Sequence, residues 1–382
     1  MIKPRIVVTG ATGKTGSVVV SELLKAGFPV RAMVHREDGR SAGLKSQGAE
    51  IVVAEMSDVE RVVDALDDVQ RAYYCPPIDP YAIQGAVAFA IAAKETRLEH
   101  IVSLTQWLAS PSHPSLMTRQ SWLIDHLFSM TPGIAHTIVN PGFFADDYLL
   151  PIGLAAHLGM FPWMYGDSRN APPSNEDIAR VAAAVLMNPA RHAGKSYRPT
   201  GPDLLGAKEM AQAIGRAVGR SVRVMPTPSW LFMKSARIAG LPIDAMSNIN
   251  YYIEDHKQGV FEIGAPTTDV PDVTGHRAED FETIARRYAA QPRNQRKLSN
   301  WIREFGQFMR APFTRGFNLD RYERELRRPF PSAPRFSAES AIWRCEHGIS
   351  DFVQPAMPGR KGERTAITRS EQSRILPGEP LS

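Results

Sequence analysis

Gly10, Gly13 and Gly16 stand at a regular spacing in the run Gly10-Ala11-Thr12-Gly13-Lys14-Thr15-Gly16, directly after the β-branched stretch Ile6-Val7-Val8-Thr9. Residues 17–26 then place Val18, Val19, Leu23 and Leu24 on one face of a helix. Strand, glycine turn and helix in this order form the setting in which backbone amides hold a dinucleotide's diphosphate. Gly10 permits the tight turn, Gly13 lets the main chain approach a phosphate, and Gly16 allows close helix–strand packing. The free N–H groups and the dipole at the helix start favour the same anion. The spacing is G-x-x-G-x-x-G rather than G-x-G-x-x-G, so its weight comes from the alternating strands and helices that follow. The alternative is a glycine-rich turn that binds nothing.

Further polar and aromatic residues cluster at strand ends. The second strand exits at His35-Arg36, followed by Glu37-Asp38. An acid there would hold the ribose 2′-OH of NAD, and an Arg the 2′-phosphate of NADP. His35 and Arg36 come first, so NADP is favoured over NAD, with Glu37 and Asp38 the opposing candidates. Other strand ends fall at Glu55, Cys75-Pro76, Thr105 and Asn140-Pro141-Gly142. Cys75 reads as a small buried residue beside the cofactor rather than a nucleophile. The histidines His113, His126, His136, His157 and His192 are scattered without H-E-x-x-H spacing. Neither a metal site nor a Ser-His-Asp hydrolase is expected.

These candidates need a scaffold, and the hydrophobic pattern supplies one. Strands are expected over 6–9, 30–34, 50–54, 71–75, 100–104 and 134–139, and helices over 17–26, 58–66 and 81–96. That rhythm means βαβ units and a parallel sheet with helices on both faces. Ligands of such sheets sit beyond the carboxyl ends of the strands. We divide the chain into a nucleotide-binding domain over 1–150, a smaller lobe over 151–290 and a basic extension over 291–382. In the lobe, helices are expected over 175–187 (capped by Ser174), 207–218 and 279–289. Short strands are expected over 195–198 and 221–225, the second at an edge. The lobe would lid the cleft and build the substrate pocket.

The totals agree with an ordinary globular protein: 382 residues, 43% hydrophobic and 22% charged, with a net charge of +5. Two cysteines far apart in sequence argue against a disulfide framework. No basic-then-apolar leader precedes the first strand, and no apolar run reaches the ~18 residues of a membrane span. A cytoplasmic protein without a transmembrane segment is expected. After residue 290, arginines alternate with Trp301, Phe305, Phe308, Phe313 and Phe317, and residues 299–309 carry apolar side chains at helical spacing. Such a basic amphipathic stretch docks on its own domain, a dimer mate, another partner or a membrane, the first two being preferred. Nucleic-acid binding is not expected, because no recognisable module accompanies the charge. From Pro329 onward the Pro, Ser, Arg and Gly content points to disorder.

The opening Thr9-Gly10-Ala11-Thr12-Gly13-Lys14-Thr15-Gly16, the run Asn140-Pro141-Gly142-Phe143-Phe144 and the helix start Asp177-Ile178-Ala179 resemble the NmrA-like group of atypical short-chain dehydrogenases/reductases. Gly194-Lys195-Ser196-Tyr197, Thr200-Gly201-Pro202 and Ala207-Lys208-Glu209-Met210-Ala211 are similar to later segments of that group, so the likeness spans residues 1–290. The resemblance implies an α/β fold: a Rossmann-type doubly wound parallel sheet with a smaller C-terminal α/β lobe, here followed by the basic extension. It implies that Thr12, Lys14 and Thr15 flank the diphosphate with the three glycines, and that His35 and Arg36 face the 2′-phosphate. Glu55 would lie near the adenine, and Thr105 near the place of the wider superfamily's catalytic Ser.

The Tyr-x-x-x-Lys pair of ordinary members is missing, because the corresponding helix reads Met117-Thr118-Arg119-Gln120-Ser121-Trp122. Losing a Tyr acid removes a proton-transfer contribution of roughly 10²–10⁴ in rate from ketone–alcohol chemistry. Quinone reduction depends on it less. The resemblance therefore leaves two readings. One is an NAD(P)H-dependent reductase of a quinone-like or other electron-poor small molecule. In it Trp107, Phe143, Phe144 and Tyr148 form an aromatic pocket, and Thr105 and Asn140 are the catalytic candidates. The other is a non-catalytic NAD(P) sensor that binds a protein partner, with residues 291–330 as a docking or oligomer surface.

Overall fold

The computed structural model describes residues 3–349. Among them run nine strands: β1 (Ile6–Val8), β2 (Val30–Val34), β3 (Glu50–Val53), β4 (Arg71–Tyr74), β5 (His100–Leu104), β6 (Ala135–Val139), β7 (Met160–Trp163), β8 (Ser196–Tyr197) and β9 (Arg223–Pro226). Seven form one sheet in the order β3-β2-β1-β4-β5-β6-β8, and every pairing in it is parallel. Ile6 of β1 stands opposite Val30 on one side and Arg71 on the other. The strand order turns back between β1 and β4, and ligands of doubly wound sheets bind at such a switch point.

The two-residue period of β1 divides the core. Ile6 and Val8 point to one face, where Val19, Val20 and Leu23 of helix Lys14–Lys25 and Ile178, Val181 and Val185 of helix Asn175–Met187 bury them. Val7 points to the other, beneath Val62, Leu66, Phe89 and Phe128. The sheet is covered on both faces, so its central strands are buried along most of their length, with Ser103, His136 and Thr137 among the buried positions. Ser174 accepts the Asp177 amide at 2.9 Å and starts its helix, as its place before the apolar run predicts.

Two expectations need correcting, and a third, the edge strand, holds with a partner the sequence did not indicate. Helix Asn175–Met187 and the strand near 195–198, both assigned to the smaller lobe, belong to the main layer: β8 pairs with β6 through Ile138–Ser196 and Val139–Tyr197. The cause is burial, since Ile178, Val181, Ala182 and Val185 are wholly covered in the core that this helix shares with helix Lys14–Lys25 and the sheet. The expected edge strand over 221–225 is β9, which pairs with the unforeseen β7 in a separate two-stranded sheet. The disorder expected from Pro329 does not hold through residue 349. There Trp343 is fully buried and donates from Nε1 to Trp107 O at 2.7 Å, and Ser337 Oγ donates to Leu108 O at 2.8 Å. The rest of that expectation, over 350–382, lies outside the described residues.

Candidate functional site

The cleft opens at the carboxyl edge of β1, β4, β5 and β6. Gly10 has φ +59°, the left-handed region that favours glycine, and its carbonyl accepts the Gly13 amide at 2.8 Å. A Cβ on Gly16 would run into the Gly10 carbonyl, so the helix can start this close to the strand only with glycine there. Gly13 stands at the N-cap of helix Lys14–Lys25 without a side-chain cap, leaving the first amides for an incoming acceptor. A side chain would fill this cradle, and a diphosphate fits it.

The flanks complete the binding edge. Thr9 Oγ1 accepts the Cys75 amide at 2.8 Å, locking the ends of β1 and β4 together. Burial pushes the Cys75 thiol up to about 11, which disfavours the thiolate. At the exit of β2, His35 Nδ1 pairs with Glu55 at 2.9 Å, and both side chains are exposed. Arg36 is exposed and has no hydrogen-bond or ion-pair partner among the described residues. Asp38, a candidate for the NAD ribose, is engaged elsewhere. It caps helix Gly39–Ser46 through the Arg40 amide at 2.8 Å, and its hydrogen bonds to Arg40 hold its carboxyl down at about 2. Lys14 Nζ reaches across to the buried Asp146, and Thr15 Oγ1 donates to Asn175 Oδ1 at 2.9 Å.

The cradle continues into a cavity of about 470 Å³. Gly10, Gly13, Lys14, Thr15 and Gly16 line one end together with Cys75, Pro76, Thr105, Pro141, Phe143 and Phe144. Thr12, His35, Arg36 and Glu55 lie outside this cavity, the last three along its β2–β3 flank. The opposite wall, which the sequence pattern did not announce, comes from helices Ser229–Ile238 and Ile243–Lys257 through Phe232, Ala245, Asn248, Ile249 and Tyr252. Asp147 also lines the cavity, and burial beside Asp146 raises its carboxyl above the usual range.

Two expected pocket residues, Trp107 and Tyr148, and the catalytic candidate Asn140 do not line it. Trp107 packs against the Arg198 guanidinium, 3.7 Å from its ring centroid, and edge-on against Trp343, and its Nε1 donates to Val260 O at 3.1 Å. Tyr148 is buried, with its hydroxyl bonded to His256 Nε2 and accepting from Asn170 Nδ2 at 3.2 Å. Asn140 is buried off the cavity, with no partner for its Oδ1 among the described residues. Packing by the C-terminal segment and by His256 accounts for the first two.

Behind Thr105 lies a buried polar chain. Thr105 Oγ1 donates to Asp125 Oδ2 at 2.8 Å, and Ser103 Oγ donates to Asp125 Oδ1 at 3.2 Å. Ser103 Oγ is 2.8 Å from His136 Nε2, whose Nδ1 is 2.9 Å from the Oγ of the exposed Ser129. Burial raises Asp125 to about 7 against the two hydroxyl hydrogen bonds, and burial lowers His136 to about 3. A carboxyl that exchanges its proton near neutrality thus sits one hydroxyl away from the cavity. The sequence signal was available: Met117, Ser121 and Asp125 fall at i, i+4 and i+8 on one face of helix Leu116–Ser129. Among the described residues, no group of three or more His, Cys, Asp or Glu side chains is placed to hold a metal.

Comparison with known proteins agrees with this geometry. The NmrA-like family profile matches residues 2–105. An NAD(P)H azoreductase of Xenophilus azovorans is 30% identical over 290 residues, covering 75% of this chain and 98% of that protein. The structure of the Escherichia coli NADPH-dependent quinone oxidoreductase with NADPH superimposes with a TM-score of 0.64 at 22% identity, covering 73% of this chain and 98% of that one. The Citrobacter sp. triphenylmethane reductase with NADP(H) gives a TM-score of 0.63 at 22% identity, covering 74% and 99%. With a relative at this identity aligned over nearly its full length, the chain belongs to the NmrA-like family of atypical short-chain dehydrogenases/reductases.

Proposed function

We propose that the protein is an NAD(P)H-dependent oxidoreductase that reduces a flat, electron-poor, quinone-like acceptor, with NADPH preferred over NADH. The observation that carries this reading is the cleft in which a diphosphate cradle runs into a largely apolar chamber with the Thr105 hydroxyl on its wall. Relatives named as an azoreductase and as a quinone oxidoreductase support the acceptor class. The unpaired Arg36 at the exit of β2 supports the 2′-phosphate preference, as does the commitment of Asp38 to a helix cap.

When bound, the reduced nicotinamide supplies the hydride. The chain's residues do the rest. The amides around Gly10, Gly13 and Gly16 hold the diphosphate and Arg36 holds the 2′-phosphate. Phe143, Phe144, Phe232 and Tyr252 hold the flat acceptor and exclude water. A quinone taking up one hydride needs one proton to become a hydroquinone. Thr105 Oγ1 gives that proton to the acceptor oxygen and recovers one from Asp125 Oδ2. Asp125 is refilled through Ser103 Oγ, His136 and Ser129 from solvent. This route replaces the absent Tyr acid.

The test is to mix purified protein with NADPH and a panel of small quinones and azo dyes, and to follow loss of the reduced cofactor's absorbance. Turnover with at least one of these acceptors is expected. Tight cofactor binding without turnover on any of them would overturn the reductase reading.

A further inference from the structure

Helix Leu298–Arg310 is turned inside out. Its protein-facing side carries Asn300, which donates from Nδ2 to Pro292 O at 3.0 Å and Gln295 O at 2.9 Å, and Glu304, which packs on Gly153. The outward side carries Leu298, Trp301, Ile302, Phe305 and Met309, at i, i+3, i+4, i+7 and i+11, with exposures between 40% and 74%. Trp301 and Phe305 stack on each other with centroids 5.0 Å apart, and Phe313 in the following turn is 86% exposed. A continuous apolar stripe of this kind on a soluble surface marks a contact site.

Charge identifies the occupant. Arg293, Arg296, Lys297, Arg303, Arg310 and Arg315 border the stripe, and the one acid in this stretch, Glu304, faces inward and pairs with Arg303 at 3.1 Å. A second copy meeting the same face would set these cations against their own kind. The stretch 350–382 holds five basic against four acidic residues and brings no negative balance. Apolar side chains including Trp and Phe, bordered by Arg and Lys, are what a helix lying in the plane of an anionic bilayer presents. No helix among the described residues is long and apolar enough to cross a membrane, so the contact is with the surface.

We propose that this face docks the protein on an anionic lipid bilayer. The stripe connects with the cavity through one helix. Lys234 Nζ and Arg237 Nη1 of helix Ser229–Ile238 donate to Pro312 O and Arg315 O at 2.8 and 2.7 Å, while Phe232 of that helix lines the cavity. The turn beside the docking face and part of the cavity wall thus share one helix. Resting on the reductase reading above, this makes acceptors dissolved in the bilayer the natural substrate class.

The experiment is co-sedimentation of the full chain with phosphatidylcholine vesicles and with vesicles containing phosphatidylserine. Binding to the anionic vesicles alone is expected, weakened by salt and reduced tenfold or more in the double variant Trp301→Gln, Phe305→Gln. Calorimetry with NADPH checks that this variant is folded, because both side chains are exposed and remote from the cradle. Absence of binding to either vesicle overturns docking, as does binding that the double variant leaves unchanged. A dimer that the double variant dissociates would assign the face to a second copy and also overturn it. Sedimentation reads docking without turnover, so failure of the reductase reading leaves this result standing. The substrate-class arm compares a long-chain quinone in these vesicles with a short, water-soluble one. Loss of turnover in the double variant for the lipid-held quinone alone is expected, and equal loss for both overturns that arm.

Discussion

The Thr105 hydroxyl donates to Asp125 Oδ2 at 2.8 Å, with the threonine on the cavity wall and the carboxyl buried behind it. In a chain without Tyr-x-x-x-Lys, this is the pair through which a buried acid reaches the cleft.

Replacing Asp125 by Asn keeps an acceptor for Thr105 but removes the exchangeable proton. Turnover should fall by about two orders of magnitude, the scale of a lost general acid, while cofactor affinity stays unchanged. Steady-state kinetics with calorimetry would show the split. In the wild type, activity should decline above neutral pH as Asp125, raised to about 7, gives up its proton.

The same carboxyl makes a stability prediction. Its folded value of about 7 lies above the ordinary 3.8, so the folded chain binds the proton more tightly than the unfolded one. With respect to this group, stability is therefore highest at low pH and declines as pH rises from 3.8 toward 7. Across that window the slope approaches about 1.4 kcal/mol for each step of one in pH. Asp125→Asn should flatten it, as read by urea unfolding at both ends of the window.

Arg36→Ala should weaken NADPH binding by about tenfold, the loss of one charge-assisted contact, and leave NADH binding unaltered. Parallel titrations of both cofactors give the comparison. An equal effect on both would remove Arg36 from the 2′-phosphate.

Gly16→Ala sets a methyl against the Gly10 carbonyl and must push the helix off the strand. A destabilisation of about 1–3 kcal/mol is expected from overpacking, together with loss of cofactor binding. Denaturant melts and calorimetry would measure the two effects separately.

Trp343→Ala should cost about 3–5 kcal/mol, the range for emptying a buried aromatic site. The ring is fully enclosed and bonds the Trp107 carbonyl, so the melt also reports whether the 329–349 segment belongs to the folded body.

What the sequence made legible was mostly local. The cradle could be read because strand, turn and helix are contiguous from Ile6 to Lys25, and the strand ends at Cys75, Thr105 and Pro141 followed from period and order. Trp107 and Tyr148 were misplaced because their neighbours, Trp343 and His256, arrive from more than a hundred residues away. The far wall went unseen for a related reason. Helices Ser229–Ile238 and Ile243–Lys257 are only partly buried, so their apolar spacing is weak, and fully buried positions such as Met246 and Ile253 are few. Asp125 escaped notice because the superfamily's pattern points to a tyrosine and a lysine on this helix, whereas the acid here lies on its inward face.

The late return of β8 to the sheet bears on how this protein can be dissected. Val139 and Val102 lie under helix Asn175–Met187, which the chain delivers only after its excursion through β7. A fragment ending at residue 150 would leave that hydrophobic surface bare and aggregate. A nucleotide-binding module excised for fusion or transplantation must run through Tyr197 and carry the excursion with it.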